Sequence, residues 1–249
     1  MKRIYFLVLM ILIMSYVCAE TLRFECDYWE PYNAVPNSDE PGFQVEITKR
    51  IFEDAGFTFE YKLVPFSRAL RNVQEGTAHG TFGLYENEAK SNNLLIPKNH
   101  LSIGQTYFYV LNDDDWKYQG VASLKEKFLG VIQNYEYDDG PLDEYIALNK
   151  NTISVQVITG DNALERNILK LIHSRITVTL EDEIVMNWKL NKMNKKHLVK
   201  KAGVFNDSYK VYVAFTPTRP ELIKIFDEGY EKIKNNGELQ KILDKYNIP

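Results

Sequence analysis

The stretch PFSRALRNVQEGTAHGTFGLYENEAK, residues 65–90, contains the clearest structural pattern in the sequence. In its first half, apolar residues recur at helical spacing and a glycine follows where the helix would end: Phe66, Ala69, Leu70, Val73 and Gly76. Residues 79–84 predict a short buried strand, and residues 85–90 predict an exposed polar loop. A helix that leads into a strand with small residues near its carboxyl end is typical of an open α/β sheet that presents backbone to a small ligand.

The rest of the chain repeats this alternation of strands and helices. Before the opening stretch we predict a strand at 22–26, a helix at 42–56 and a strand at 58–64. A strand at 105–111 and a polar linker at 112–115 follow. In the second half we predict strands at 128–133, 153–158, 175–180 and 211–215. Helices are predicted at 135–148, at 162–173 and from Glu181-Asp182 onward, followed by a basic helix end and loop at 189–201. Two further helices, at 221–234 and 237–246, are predicted to cover one lobe. This order predicts an α/β fold with two βαβαβ lobes.

The N-terminus has the pattern of a secretory signal. Two basic residues are followed by an apolar run at residues 4–14, which is too short to span a bilayer as a helix. We expect a signal peptide at residues 1–19 and a mature protein in the periplasm. A buried N-terminal helix, an uncleaved anchor and a lipid anchor at Cys18 are less favoured alternatives, since residues 15–17 make a poor lipidation motif.

Composition excludes some classes of function. The mature chain would keep only Cys26, so no internal disulfide is expected. Loss of Lys2 and Arg3 would change the formal net charge from −4 to −6, which argues against nucleic acid as a partner. The 16 tyrosines suit the recognition of a small polar solute.

Catalytic and metal motifs are missing from the sequence. The four histidines are not spaced as metal ligands, and no nucleophile or phosphate-loop motif occurs. Adjacent acids such as Glu181-Asp182 are typical of solvated turns. We therefore expect a binding protein without a cofactor or metal, not an enzyme.

The candidate ligand residues follow the predicted strands, because α/β sheets bind ligands at the carboxyl ends of their strands. We expect Arg68 to pair with a carboxylate, free amides at a helix start after Gln133 to bind an anion, and Glu181 to accept an ammonium group. A surface charge for Arg68 and ordinary packing for each aromatic residue stay open as alternatives. The full set is Tyr28, Trp29, Tyr32, Phe66, Arg68, Gly83, Tyr85, Lys90, Asn134, Tyr135, Glu136, Tyr137 and Glu181.

The whole mature chain resembles the bacterial extracytoplasmic solute-binding proteins of family 3, the amino-acid-binding type associated with ABC importers. The resemblance lies in residues 29–33, 41–57, 65–80, 124–137, 169–182 and 221–246. It implies a two-lobe, type II Venus-flytrap fold with crossovers near residues 110 and 208, so that lobe 1 comprises 20–110 plus 209–249 and lobe 2 comprises 111–208. It also implies a monomer that closes on an amino acid or related small solute and passes it to a membrane importer.

One departure from the family concerns specificity. Typical amino-acid binders carry a Thr-x-x-Arg-like element after the third strand, whose arginine holds the ligand carboxylate. Residues 83–90 contain no arginine, and Lys90 is the available substitute. Two alternatives therefore stay open: a dehydratase-like enzyme that uses Glu181 or Lys90 for acid/base chemistry, and a sensing module for a membrane receptor.

Overall fold

The computed structural model describes residues 19–133, 135, 137, 140–160 and 162–248, which form two five-stranded sheets. Most of the expected signal peptide, with Cys18, lies outside the described residues, as do the candidate ligand residues Asn134 and Glu136. In the part of the chain that is described, no helix is long and apolar enough to cross a membrane.

Strands and helices alternate along most of the chain. The strands are β1 (Thr21–Cys26), β2 (Thr58–Leu63), β3 (Gly80–Leu84), β4 (Ser102–Gly104), β5 (Thr106–Leu111), β6 (Leu129–Ile132), β7 (Val155–Ile158), β8 (Val178–Asp182), β9 (Val199–Val204) and β10 (Tyr209–Phe215). The α-helices are α1 (Phe43–Asp54), α2 (Phe66–Gln74), α3 (Glu86–Ser91), α4 (Pro141–Asn149), α5 (Ala163–Ile172), α6 (Glu183–Lys192), α7 (Glu221–Asn235) and α8 (Glu238–Lys245).

The first sheet has the order β2-β1-β3-β10-β4, and the elements around it form the first lobe. Strands β1, β2 and β3 are parallel, β10 is antiparallel to β3, and β4 is antiparallel to β10. The buried ring of Phe24 on β1 lies at the centre of an aromatic core that also contains Phe52, Phe59, Phe82 and Phe215. Helix α1 packs against α7 and α8, so the C-terminal helices cover this lobe as predicted.

The second sheet has the order β7-β6-β8-β5-β9, and the elements around it form the second lobe. Again three strands, β6, β7 and β8, are parallel, β5 is antiparallel to β8, and β9 is antiparallel to β5. Phe108 on β5 is buried and stacks on Tyr118 with ring centroids 4.0 Å apart. The prediction of an α/β fold with two lobes is confirmed.

Strand β5 belongs to the second sheet, although the sequence analysis assigned it to lobe 1. It pairs antiparallel with β8 and with β9, so the chain changes sheet at Gln105 and not near residue 110. The return passes through residues 205–208. An apolar strand pattern shows that a strand is present but not which sheet it joins. The polar residues 112–115, predicted to link the lobes, form a loop of the second lobe instead, where Asp114 pairs with Lys127.

Several local predictions were wrong. Residues 85–90, expected to be a loop, largely form helix α3, and the Glu88 side chain accepts a hydrogen bond from the Tyr85 amide at its start. The helix expected from residue 135 begins at Pro141, which suits a first helical position. Among the described residues, the first helix after Gln133 is therefore α4, and the predicted helix start directly after Gln133 is not seen there. The end of the expected basic loop at 189–201 is the start of strand β9, which extends the second sheet.

Asp182 joins the two lobes at the end of β8. Its Oδ1 accepts hydrogen bonds from the amides of Ile184 (2.9 Å) and Val185 (3.1 Å), which makes it the N-cap of α6. The hydroxyl of Tyr32, in the first lobe, donates to the same oxygen at 3.2 Å. The hydroxyl of Tyr209, where the chain returns to the first sheet, donates to Oδ2 at 2.7 Å. Four donors thus compensate the burial of one carboxylate.

We expect Tyr32→Phe to lower the free energy of unfolding by about 1.5–3 kcal/mol, the usual range for a hydrogen bond to a charged group. The ring would keep its packing, so the loss reports the bond to Asp182. Urea denaturation followed by tryptophan fluorescence measures it.

Tyr145→Phe is the matched control, because its hydroxyl donates to the Leu124 carbonyl within the second lobe. We expect a smaller loss there, about 0.5–1.5 kcal/mol. Equal losses in the two variants would contradict a special role for the bond between Tyr32 and Asp182.

Candidate functional site

A cavity of about 640 Å³ lies between the two lobes, at the carboxyl ends of their parallel strands. Both lobes and the returning segment contribute to its wall. Its lining residues are Cys26, Asp27, Tyr28, Trp29, Asn33, Phe66, Phe82, Gly83, Tyr85, Asn87, Glu88, Thr106, Tyr135, Tyr137, Glu181, Asp182, Phe205, Asn206, Asp207 and Tyr209. This volume is within the range of pockets that bind small organic molecules.

Aromatic rings form much of the wall. On the first-lobe side, Trp29 is stacked on the buried ring of Tyr32, with centroids 3.9 Å apart and an angle of 6° between the planes. Gly83 faces this pair with φ +80°, and an added Cβ would lie 3.3 Å from the indole. Glycine therefore lets the end of β3 approach the Trp29 ring in a backbone conformation that other residues adopt with strain.

Acidic side chains form the polar part of the wall in the first lobe. Asp27 follows β1, and Glu88 lies on α3. Burial raises the pKa of both carboxyls, and the charge of Asp27 adds to the rise at Glu88. The two groups therefore give this side of the cavity an affinity for positive charge or for hydrogen-bond donors.

Glu181 is the buried acid of the second lobe, with only 5% of its surface exposed. Its Oε1 accepts a hydrogen bond from the amide of Asp182 at 3.0 Å, but its Oε2 has no partner among the described residues. Burial, with the neighbouring charge of Asp182, raises the pKa of Glu181 to about 8. The expectation that Glu181-Asp182 forms a solvated turn was wrong, because both residues lie in β8 and are buried.

The structure brings together eight of the predicted site residues around the cavity: Tyr28, Trp29, Phe66, Gly83, Tyr85, Tyr135, Tyr137 and Glu181. Tyr32 lies behind Trp29, where it supports the wall and bonds Asp182. Asn134 and Glu136 are outside the described residues.

The two predicted cations are not part of the cavity wall. Arg68 is exposed on α2. It follows Phe66, which does line the cavity, by two positions, and such residues point to nearly opposite sides of a helix. Lys90 pairs with Glu86 one helical turn away, at 2.5 Å, and 70% of its side chain is exposed. The helix α3 that the sequence analysis missed explains this pairing.

Sequence reasoning missed several lining residues. Asp27 and Asn87 are polar residues next to predicted strand ends, so their positions were a usable signal. The chain crosses between the sheets beside the cavity, and this places Thr106, Asn206, Asp207 and Tyr209 in the wall. The position of this crossing is evident only once the strand order of the sheets is known.

Neither a metal centre nor a reactive thiol is evident in the described part of the chain. Among those residues, no group of three or more His, Cys, Asp or Glu side chains could hold a metal ion. Burial raises the pKa of the Cys26 thiol well above its usual range, which keeps it protonated. The aromatic rings of the cavity wall can contact a ligand, and its acidic side chains can accept hydrogen bonds from that ligand.

Comparisons with known proteins agree with this architecture. Among solved structures, an ancestral arginine-binding protein bound to arginine has 20% sequence identity, covers 91% of this chain and 97% of its own, and gives a TM-score of 0.65. The unliganded, open L-cystine solute receptor of Neisseria gonorrhoeae has 16% sequence identity, covers 92% of this chain and 93% of its own, and gives a TM-score of 0.64. A histidine kinase sensor domain with similarity to periplasmic binding proteins has 17% sequence identity, covers 92% of this chain and 96% of its own, and gives a TM-score of 0.66.

At this level of identity the structural matches establish the fold, which is that of type II periplasmic binding proteins. Comparison with curated protein sequences gives no match. The family model of bacterial extracellular solute-binding proteins, family 3, matches residues 24–248, nearly the whole described chain. The chain therefore belongs to the bacterial extracellular solute-binding proteins of family 3.

Proposed function

We propose that this protein captures a small polar solute, an amino acid or a related compound, by closure of its two lobes and delivers it to a membrane ABC importer. The family supports a location outside the cytoplasm, and the periplasm is our finer proposal. We also propose that the protein acts as a monomer.

The observation that carries this proposal is the shared cavity, because both lobes contribute to a single wall. A solute that contacts both sides binds the closed form better than the open form and shifts the population toward it. In the described residues the chain crosses between the lobes at Gln105 and at residues 205–208. There the Gln105 side chain donates to the Asn206 carbonyl at 3.1 Å, and the Thr106 amide donates to the Asn206 side chain at 3.0 Å. Two short, adjacent crossings of this kind suit a hinge.

We expect at least one compound in a panel of amino acids, amines, carboxylates and small peptides to raise the melting temperature of the purified protein. A ligand at 100 times its Kd would stabilise the folded state by about 2.7 kcal/mol. The same compound should reduce the radius of gyration measured by small-angle X-ray scattering, since the lobes close on it. If no compound stabilises a folded sample, or if binding leaves the radius unchanged, the proposal fails.

A sensing role for a membrane receptor is the second candidate, supported by the similarity to a histidine kinase sensor domain. Uptake separates the two roles. Cells that lack the gene should lose uptake of the stabilising solute if the partner is an importer. Normal uptake together with a lost transcriptional response to the solute would favour the receptor instead.

A further inference from the structure

The charge of the cavity wall is one-sided. Five acidic residues line it: Asp27, Glu88, Glu181, Asp182 and Asp207. Among the described lining residues none is Lys, Arg or His. The undescribed positions 134, 136, 138 and 139 are Asn, Glu, Asp and Asp, so they add no positive charge either. A solute carboxylate would therefore lie in this cavity without a cationic partner, which is unfavourable in a partly buried site.

Glu181 and Asp182 have different hydrogen-bond environments. Asp182 is occupied by its four donors and holds the lobes together. Glu181 is equally buried, lines the cavity and has an oxygen, Oε2, without a donor among the described residues. Buried carboxylate oxygens normally have partners. A ligand N–H group that carries positive charge would supply the missing donor and the missing countercharge at once.

The rings around Glu181 suit the same kind of ligand. Tyr135 and Tyr137 lie in the loop after β6, close enough for the charge of Glu181 to raise the pKa of both hydroxyls, together with burial. Trp29 presents its ring from the first lobe. The faces of aromatic rings attract cations, and indole does so most strongly. The cavity thus combines an acceptor with apolar walls for the carbon chain of an organic cation.

We propose that the solute is an organic amine that carries no carboxylate, with its ammonium group bound to Glu181. This inference rests on the proposed function and narrows its solute class. Asp27 and Glu88 line the cavity in the first lobe, so they could bind a second positively charged group of the amine.

Matched pairs of compounds test the proposal directly. Cadaverine, agmatine and histamine are lysine, arginine and histidine without the carboxylate, so each pair differs in that one group. We expect isothermal titration calorimetry to give at least one amine a Kd lower than that of its parent amino acid by roughly tenfold or more, because the cavity has no partner for the carboxylate.

The result also separates this inference from the proposed function. If an amino acid binds more tightly than its amine and closes the lobes, the amine assignment is overturned and solute capture stands. If compounds of both kinds fail, along with the rest of the broader panel, solute capture itself is contradicted.

Glu181→Gln tests the assigned contact. We expect the Kd of the amine to rise by roughly 10- to 100-fold, since a charge-assisted hydrogen bond becomes a neutral one. The melting temperature without ligand should not fall, because the variant removes a buried carboxyl that lacks a full set of partners. Glu228→Gln makes the same change at an exposed position on α7 and should leave the Kd unchanged. An unchanged Kd in Glu181→Gln would overturn the contact.

The pH dependence of binding gives a second readout of the same contact. The pKa of Glu181 without ligand is about 8, and an ammonium group binds the ionised form. Below pH 8 the site must first release a proton, so cadaverine affinity should weaken by roughly tenfold per pH unit and level off above pH 8. Glu181→Gln should remove this slope, and an equal slope in the variant would overturn the assignment.

The described titratable and charged groups around Glu181 are Asp182, Tyr85, Tyr107, Tyr109, Tyr135, Tyr137 and, over the Tyr107 ring, Lys201.

Discussion

The hydrogen bonds to Asp182 are the interaction on which the arrangement of this protein depends. One buried carboxylate ends a central strand, starts a helix and receives hydroxyl groups from the opposite lobe and from the returning segment. A buried charge is costly unless it is fully bonded, so all four donors must be in place together. An ion pair between Glu30 and Lys189, 3.2 Å long and largely buried, strengthens the same junction.

Glu181 has an oxygen without a donor among the described residues, whereas its neighbour Asp182 is fully bonded. Successive residues of a strand point to opposite sides, so adjacent acids can have different environments. Both acids line the cavity, but Asp182 binds four protein donors, whereas Glu181 lacks one donor among the described residues. A buried polar atom without a partner calls for an explanation, and at a cavity wall a ligand can supply the missing donor. Under the proposed assignment of the ligand to Glu181, structural and ligand-binding roles are divided between two consecutive carboxylates.

The sequence predicted the apolar framework well and the polar details less well. Helical and strand periodicity located α1, α2, α5 and the parallel strands, because burial imposes that periodicity. The sheet that accepts β5, the packing of short elements such as β4 and α3, and the direction of Arg68 depend on contacts between distant residues. Periodicity does not contain this information, so Arg68 was expected to pair with a ligand carboxylate although it is exposed on α2 outside the cavity wall.

The region in which the family resemblance leads one to expect a carboxylate-binding arginine has a different composition in this chain. In this chain the corresponding region is α3, which presents Asn87 and Glu88 to the cavity while Lys90 pairs outward with Glu86. The buried face of this helix, through Ala89, still packs into the first lobe. The cavity-facing side of this helix can therefore vary in charge without disturbing the packing of its buried side.

The insertion of the second lobe into the first has a consequence for folding order. Leu84 on β3 pairs with Tyr212 on β10, so the central pairing of the first sheet closes around the entire second lobe. During synthesis the second lobe, which is one continuous segment, can form its sheet before β10 exists. Until β10 and the covering helices are synthesised, β3 has an unpaired edge in the first lobe, and this edge can pair with a wrong strand.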